Sequence, residues 1–581
     1  MIKKKRLLSL AVMTVLLSGV STAWANTTPP NADETITSSN NESTSENRYD
    51  RITGSLYIDE DPIEYWYVIK NAGTVYVSDG AEISGTGGPI NDQVIVFGVC
   101  ANQENNTVEV NGNVNIAVTA NSSENRATGY GLYAYSKNNT INGDATIKVK
   151  ATAEQNGISY GLRTANGGNN TINGSATIEV EATGGGNASS SGLEASGANS
   201  TNKITGDVII KTKATVQQSG KSFEAYALKV VGRGVNDLSS TGTLKQLEGD
   251  VYVQTEDVIN YKSGSNKLVM DTPKSYLQGN LLQTTNSHTE ITNRLTISNG
   301  ATWRPVYDNR YGSFNNKKDN TSGGNFANTY AVNAIATTIN DAITLSDDGV
   351  IDLTWDATSR SRSFRTLTLY TFAGTNGIFR INTDLANNNA DKITLNSADS
   401  GSTVKIQVNY DPYFATNPNV GASITGAAGV LDGTAANTIT VVGAESEYNA
   451  YKFTPTIAWN STNSEWEITN LHTDYAPPAV TTNVMTAADS RMVMNEMWQA
   501  DTNSLNKRLG ELRSTKPEGG IWARYGHGKV ESGQGRAADV KYNLFQVGYD
   551  KASTTDSDSQ VYRGLAVTHT KGDSSYETGS G

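Results

Sequence analysis

Between Asn111 and Thr255 apolar and polar residues alternate in short runs, and the runs themselves recur. The segments Asn139–Thr152 and Asn170–Thr183 are nearly identical and lie 31 residues apart. Gly112, Gly143, Gly174, Gly206 and Gly249 mark one point in five successive units, the last after a longer interval. An apolar residue stands two places before each: Val110, Ile141, Ile172, Ile204 and Leu247. After each glycine the period is two, the signature of a half-buried strand. Successive strand side chains point to opposite faces. The inward sets are therefore Val114/Ile116/Val118, Ala145/Ile147/Val149, Ala176/Ile178/Val180, Val208/Ile210/Thr212 and Val251/Val253/Thr255. A second strand later in each unit aligns Leu132, Leu162, Leu193 and Leu228, with Val99 one unit earlier.

Like residues at like positions, repeated at a near-constant spacing, predict parallel strands stacked in a coil. Antiparallel hairpins would not require that recurrence. In the same register Lys148 and Lys150 fall over Glu179 and Glu181, which fall over Lys211 and Lys213. Tyr133, Arg163, Glu194 and Lys229 make a second outward column, and Cys100 shares the row of Tyr133. Both charged columns read as exposed ladders of alternating sign, each pair worth only about 0.2–1 kcal/mol. Their expected use is register, since a slip of one unit sets Lys over Lys. The polar stretches 121–126, 154–156 and 184–190 read as loops projecting from one edge.

Composition adds the compartment. Lys3, Lys4, Lys5 and Arg6, the apolar stretch Leu7–Val20 and Ala23-Trp24-Ala25 read as a secretory signal over 1–25. That apolar stretch is shorter than the ~20 residues of a spanning helix. A polar segment at 26–50 reads as a flexible leader. The formal charge of −12 includes the four basic residues of the signal. An acidic mature chain argues against nucleic acid or anionic lipid as partner. Cys100 is the single cysteine of 581 residues, so no internal disulfide is available. The chain has 55 Gly and 12 Pro, a profile that fits a turn-rich β-solenoid.

From about Ala331 the pattern changes to longer strands, and a resemblance enters. Phe364–Leu369, Gly377-Ile-Phe-Arg-Ile-Asn-Thr-Asp-Leu385 and Ala390-Asp-Lys-Ile-Thr-Leu395 resemble the C-terminal passenger region of pertactin-like autotransporters, as does the stretch Leu295–Arg310. The resemblance implies the last coils of a right-handed β-helix and the cap that nucleates its folding. A solenoid needs such a cap to close its hydrophobic end. Leu505–Arg513, in a helix expected over Ala487–Arg513, is similar to the helix that threads the autotransporter barrel. Some relatives carry an Asn-Asn self-cleavage pair before that motif; here Asn503-Ser504 departs from it. Gly520–Gly528, Tyr542–Ala552 and Val561–Thr568 resemble the opening strands of the β-domain. At about ten residues per strand the last ~60 residues supply three or four strands, so a truncated β-domain is expected, because an open edge cannot persist in lipid.

The expected fold class is thus all-β: a right-handed parallel β-helix passenger, an α-helical linker and the first strands of an incomplete outer-membrane β-barrel. The expected domains are the signal 1–25, the leader 26–50 and the β-helix 51–330. They continue with the pertactin-like region 331–470, the linker and threading helix 471–513, and the barrel segment 514–581.

No catalytic, cofactor-binding or metal site is expected. The one Gly-Asp-Ser, Gly572–Ser574, lies in the barrel segment and lacks the setting of a serine protease nucleophile. The four histidines, His288, His472, His527 and His569, have no nearby Cys or second His to share a metal. Asp347-Asp348 and Asp59/Glu60/Asp61 lack the spacing of a calcium loop. The expected function is a surface-displayed adhesin or self-association factor, not an enzyme and without cofactor. Its expected partners are the outer-membrane insertion machinery, a host or neighbouring-cell surface ligand, and further copies of itself. The alternatives are a polysaccharide-acting β-helical enzyme and a non-functional truncated autotransporter.

Overall fold

The computed structural model describes residues 47–49, 52–56, 63–69, 75–77, 81–87, 93–102, 107–217, 223–254, 264–285, 293–306, 325–326, 334–336, 342–354, 364–409, 423–448, 451–475, 482–515, 518–531, 538–556, 559–576 and 579–580. The signal segment, most of the leader, Thr255 and His288 lie outside them. The chain divides into two compact units: residues 1–296 with 306–329 and 340–342, and residues 297–305 with 330–339 and 343–581.

The first unit is a parallel β-solenoid of eight coils, each contributing one strand to each of three sheets. The coil built around Ile147 shows the design. Asn138–Ile141 belongs to the first sheet, Ala145–Ala153 to the second and Asn156–Ala165 to the third. The next coil repeats it in Asn169–Ile172, Ala176–Gly184 and Asn187–Ser196. Register follows the sequence repeat residue for residue: Ala145 pairs with Ala176, Ile147 with Ile178 and Val149 with Val180. Leu132, Leu162, Leu193 and Leu228 form one row in the third sheet, with Val99 before them. All of these side chains are buried, and each Val, Leu and Ile is worth about 1.5–3 kcal/mol relative to exposure.

The glycine marks have a steric cause. A Cβ on Gly143 would lie 2.5 Å from the carbonyl oxygen of Gly112, and one on Gly174 2.4 Å from that of Gly143. At this corner consecutive coils approach backbone to backbone.

Two expectations are corrected. The polar stretches do not project as loops. Ala145–Ala153 and Asn156–Ala165 are joined by two residues, as are Ala176–Gly184 and Asn187–Ser196. Strands run on through polar residues because these stack on their like in the next coil, as Asn156 does with Asn187 at 2.9 Å. The fifth unit is also re-registered. Lys245 and Leu247, not Val251 and Val253, continue the row of Val208 and Ile210. Val251 and Val253 belong to the third sheet, beside Leu228 and Val230. The second-sheet strand here is only Lys245–Glu248, and Gly249, at φ 140°, turns the chain at once into Asp250–Gln254. The alternation on both sides of that glycine is the same, so pattern alone placed it one sheet too early.

A column of asparagines runs through the first sheet. Asn139, Asn170, Asn202, Asn236, Asn266 and Asn293 are all buried and stacked. Each Nδ2 donates to the Oδ1 of the next, at 2.8, 3.0, 3.0, 2.8 and 2.9 Å. A second donation reaches a backbone carbonyl of the preceding coil corner, such as Asn139 to Tyr133 and Asn170 to Arg163, both at 3.0 Å. Buried amides must be paired in this way to avoid an unmet desolvation cost. The column begins where Val108 stacks on Asn139, and there Asn139 Oδ1 has no donor among the described residues.

The second unit has parallel coils of its own. Gly377–Asp384 pairs with Thr403–Asn409, which pairs with Thr440–Ala444. The pairing then turns antiparallel through Ser423–Asp432, Glu465–Tyr475 and Tyr451–Asn460. A helix spans Thr482–Thr515, five residues earlier at its start than the sequence pattern indicated. Antiparallel strands follow at Gly519–Glu531, Ala538–Asp556 and Ser559–Tyr576. Among the described residues no helix is long and apolar enough to cross a membrane.

Candidate functional site

Two charged ladders run along the solenoid, and they differ in kind. On the second sheet Lys148 Nζ lies 3.2 Å from Glu179, Lys150 3.8 Å from Glu181, and Lys213 3.4 Å from Glu181. These side chains are 37–62% exposed, so each pair contributes little to stability. What they give the molecule is a flat outward face of alternating charge, with threonines beside it at Thr152, Thr183 and Thr215 in one row.

The ladder on the third sheet was expected to be exposed as well, and it is not. Arg163 Nε lies 3.1 Å from Glu194, whose other oxygen lies 3.5 Å from Lys229 Nζ. The Glu194 side chain is only 4% exposed. The cause is an aromatic stack on the same face. Phe97 and Tyr130 stack at 4.6 Å, and Tyr130 and Tyr160 at 5.0 Å. Arg163 lies over Tyr160, 4.7 Å from the ring centroid, and donates to the Tyr130 hydroxyl at 2.8 Å. Tyr226 and Tyr252 stack at 4.9 Å further along. Cys100 shares its row with Tyr133, as the register required, and is buried in this cluster.

Burial raises the pKa of Tyr130, Tyr133 and Tyr160 above the ordinary phenol value. Burial also disfavours the Lys229 ammonium, but Glu194 and Glu224 beside it outweigh that and hold its pKa high. The ionised side chains of the cluster, Arg163, Glu194 and Lys229, are paired with one another.

The sequence carries a signal for this stack. Phe97-Gly98, Tyr130-Gly131 and Tyr160-Gly161 repeat an aromatic–glycine pair, continued by Ser191-Gly192 and Tyr226-Ala227. The glycine is required by packing. A Cβ on Gly161 would lie 2.4 Å from Ile178 Cγ2 and 2.5 Å from the Gly192 carbonyl.

The antiparallel strands near the C-terminus reverse the usual distribution of polarity. Ile521, Tyr525, Phe545, Tyr549, Leu565 and Val567 are exposed, while the opposite face carries Arg524, Gln546, Asp550 and Thr570 against the helix. Arg508 pairs with Asp550 at 2.8 Å and lies over Trp522, 5.4 Å from the ring centroid. Thr570 donates to Asp501 at 2.6 Å, Ser504 to Gln546 at 3.2 Å, and Arg524 to the Ser504 carbonyl at 2.8 Å. The helix is polar because the face it meets is polar.

That alternation also separates the protease-like residues. Ser574 is buried, whereas Asp573 and His569, at odd positions of the same strand, are exposed on the other face. His472 pairs with Ser423 and His527 with Asn543, in different sheets. Among the described residues no group of three His, Cys, Asp or Glu side chains could hold a metal.

The pertactin family profile matches residues 341–470. The chain carries a pertactin-like region, and its matches are to autotransporter proteins. The passenger is 33% identical over 135 residues to the serine protease EspP of Escherichia coli, covering 22% of this chain and 10% of that one. It is 26% identical over 222 residues to the serine protease EspC of E. coli O127:H6, covering 38% and 16%. Against the pertactin autotransporter of Bordetella bronchiseptica the identity is 37% over 87 residues, covering 15% and 9%. The match thus spans less than a fifth of the length of each of these three relatives.

Within the pertactin-like region the conspicuous Asp391-Lys392 pair has a physical role. The buried Asp391 carboxylate accepts from the Asn382 backbone and side chain and from the Arg365 backbone, at 2.8, 2.9 and 2.8 Å. Lys392 reaches Glu465 at 2.7 Å and Asp432 at 3.4 Å. The pair ties a passenger coil to the antiparallel strands that follow it.

Proposed function

We propose that this passenger is displayed at the outer surface of the cell, where its solenoid acts in adhesion or self-association. The observation that carries the reading is the exposed second-sheet face, with like positions repeated coil after coil. Weak contacts repeated along such a face add through multivalency. Display is supported by the inverted strands: an apolar exterior around a polar interior suits a lipid-facing β-barrel, inserted by the outer-membrane assembly machinery. The helix Thr482–Thr515 is then the element that connects the passenger through the pore. The test is display of the passenger with its helix, residues 47–515, on a complete autotransporter β-barrel in a non-adherent Gram-negative host, scored for settling of cells and for attachment to abiotic and cellular surfaces. Clumping or attachment supports the reading, and no gain in either overturns it.

A second reading comes from relatives named as serine proteases. It predicts hydrolysis of casein by the displayed passenger and labelling by a serine-directed fluorophosphonate. The one Gly-Asp-Ser of the chain, Gly572–Ser574, lies in the C-terminal antiparallel strands and not in the solenoid, which weighs against it.

A further inference from the structure

The second unit holds a cavity of about 500 Å³, lined by Thr354, Arg380, Gln407, Asn409, Glu445 and Ser446 among others. We propose that this cavity binds a neutral, hydroxyl-rich ligand, a free sugar or one or two residues of a glycan. The proposal goes beyond the adhesive reading and does not rest on it, because the site lies in the second unit and not on the ladder face.

The cavity is built by consecutive coils. Asp352, Arg380 and Gln407 are register partners in three adjacent strands. Arg380 donates from Nη1 to Asp352 at 3.2 Å and from Nε to Gln407 Oε1 at 2.8 Å. A guanidinium has five N–H groups, so three remain for a ligand. Gln407 Nε2 donates to the Glu445 carbonyl at 2.9 Å and keeps a second N–H. Across from it Lys452 lies 2.6 Å from Glu445 and 3.7 Å from Glu447. Ser446 is 8% exposed, and its hydroxyl is buried with no partner among the described residues. A buried hydroxyl without a partner is costly and calls for one.

These features select the ligand class. The volume falls within the roughly 300–1,000 Å³ of small-molecule pockets. Val408 is the one aliphatic lining residue, so a lipid or aromatic ligand gains little by entering. Each charge has an opposite partner, Arg380 with Asp352 and Lys452 with both Glu445 and Glu447, so two cations face three carboxylates and the site keeps a net charge of −1. An anion would meet the two glutamates and a cation the guanidinium. A polyol uses both kinds of group, donating to the carboxylates and accepting from Arg380, Asn409 and Ser446.

The test is saturation-transfer NMR on the full chain in detergent, with the methyl glycosides of glucose, galactose, mannose and N-acetylglucosamine as probes. Glucuronate, glucosamine and calcium serve as charged competitors. At least one neutral glycoside should receive saturation, with a Kd that rises about three- to tenfold in Ser446→Ala, the loss of one hydrogen bond. Glu179→Lys on the ladder should leave that Kd unchanged. The proposal is overturned if no neutral glycoside is saturated, if Ser446→Ala binds as the natural chain does, or if a charged competitor binds more tightly. Sugar binding without cell clumping would support this site while removing the adhesive reading.

Discussion

Ile147 sits directly on Ile178: the two are register partners in adjacent parallel strands, and neither has any exposed surface. Their neighbours repeat the relation along nine consecutive positions. The solenoid is therefore held by columns, and each column makes a separate prediction.

The asparagine column should be the most sensitive. Asn170→Ala removes one acceptor and two donations and leaves Asn202 Oδ1 buried without its donor. At about 1–3 kcal/mol for each orphaned group, the midpoint of urea unfolding should drop markedly. Val108→Asn should not gain stability: it supplies the missing donor to Asn139 Oδ1 but leaves its own Oδ1 facing Val75, so the unmet acceptor moves one coil along. Val75→Asn added to Val108→Asn should likewise carry the unmet acceptor one coil further, and a clear gain in the urea midpoint for either variant would contradict this account.

The two charged ladders should part company on mutation. Glu194→Ala leaves Arg163 and Lys229 without their shared carboxylate in a buried setting, at a cost of about 3–5 kcal/mol. Glu179→Lys with Glu181→Lys disturbs only exposed pairs, worth about 0.2–1 kcal/mol each, and its effect should shrink in high salt. Thermal unfolding of both variants at low and high ionic strength distinguishes them.

Gly161→Ala should be poorly tolerated. The added methyl meets Ile178 Cγ2 at 2.4 Å and a backbone oxygen at 2.5 Å, and overpacking of this kind costs about 1–3 kcal/mol. The same change at Gly242, where nothing lies within 4 Å, is strained by its positive φ of 70° and not by any clash. Pairing each with an asparagine variant, which adopts positive φ readily, should rescue Gly242 and not Gly161.

Stability should fall on the alkaline side. Tyr130, Tyr133 and Tyr160 have folded pKa values raised by burial. Their contribution is complete below the unfolded phenol value of about 10 and is lost as pH rises above it. Tyr160→Phe should flatten that decline without changing its onset. A pH scan of unfolding free energy from neutral to pH 11 checks both.

How much of this was legible in the residues depends on the feature. The coil, its register and both ladders follow from Asn139–Thr152 repeating as Asn170–Thr183. The pertactin-like coils follow from Gly377–Leu385 and Asp391-Lys392. The fifth coil did not follow, because strand alternation is identical on the two sides of Gly249 and period alone cannot say which sheet a strand joins. The asparagine column was hidden for a related reason. Its spacings of 31, 32, 34, 30 and 27 residues drift, and a buried Asn reads as a turn residue until its partner is seen. Burial of Arg163 and Glu194 depends on rings from neighbouring coils sharing their face. The cavity beside Arg380 joins residues from four separate segments, and no local pattern announces it.

The in-register stacking of coils can be tested by cross-linking. In a Cys100→Ser background, Lys148→Cys with Glu179→Cys places thiols on adjacent strands ~4.8 Å apart, and Lys148→Cys with Lys211→Cys places them two strands apart. A methylene-bridged bis-methanethiosulfonate should link the first pair rapidly and the second barely. Equal linking of both pairs, or failure of the first, would contradict the stacked solenoid.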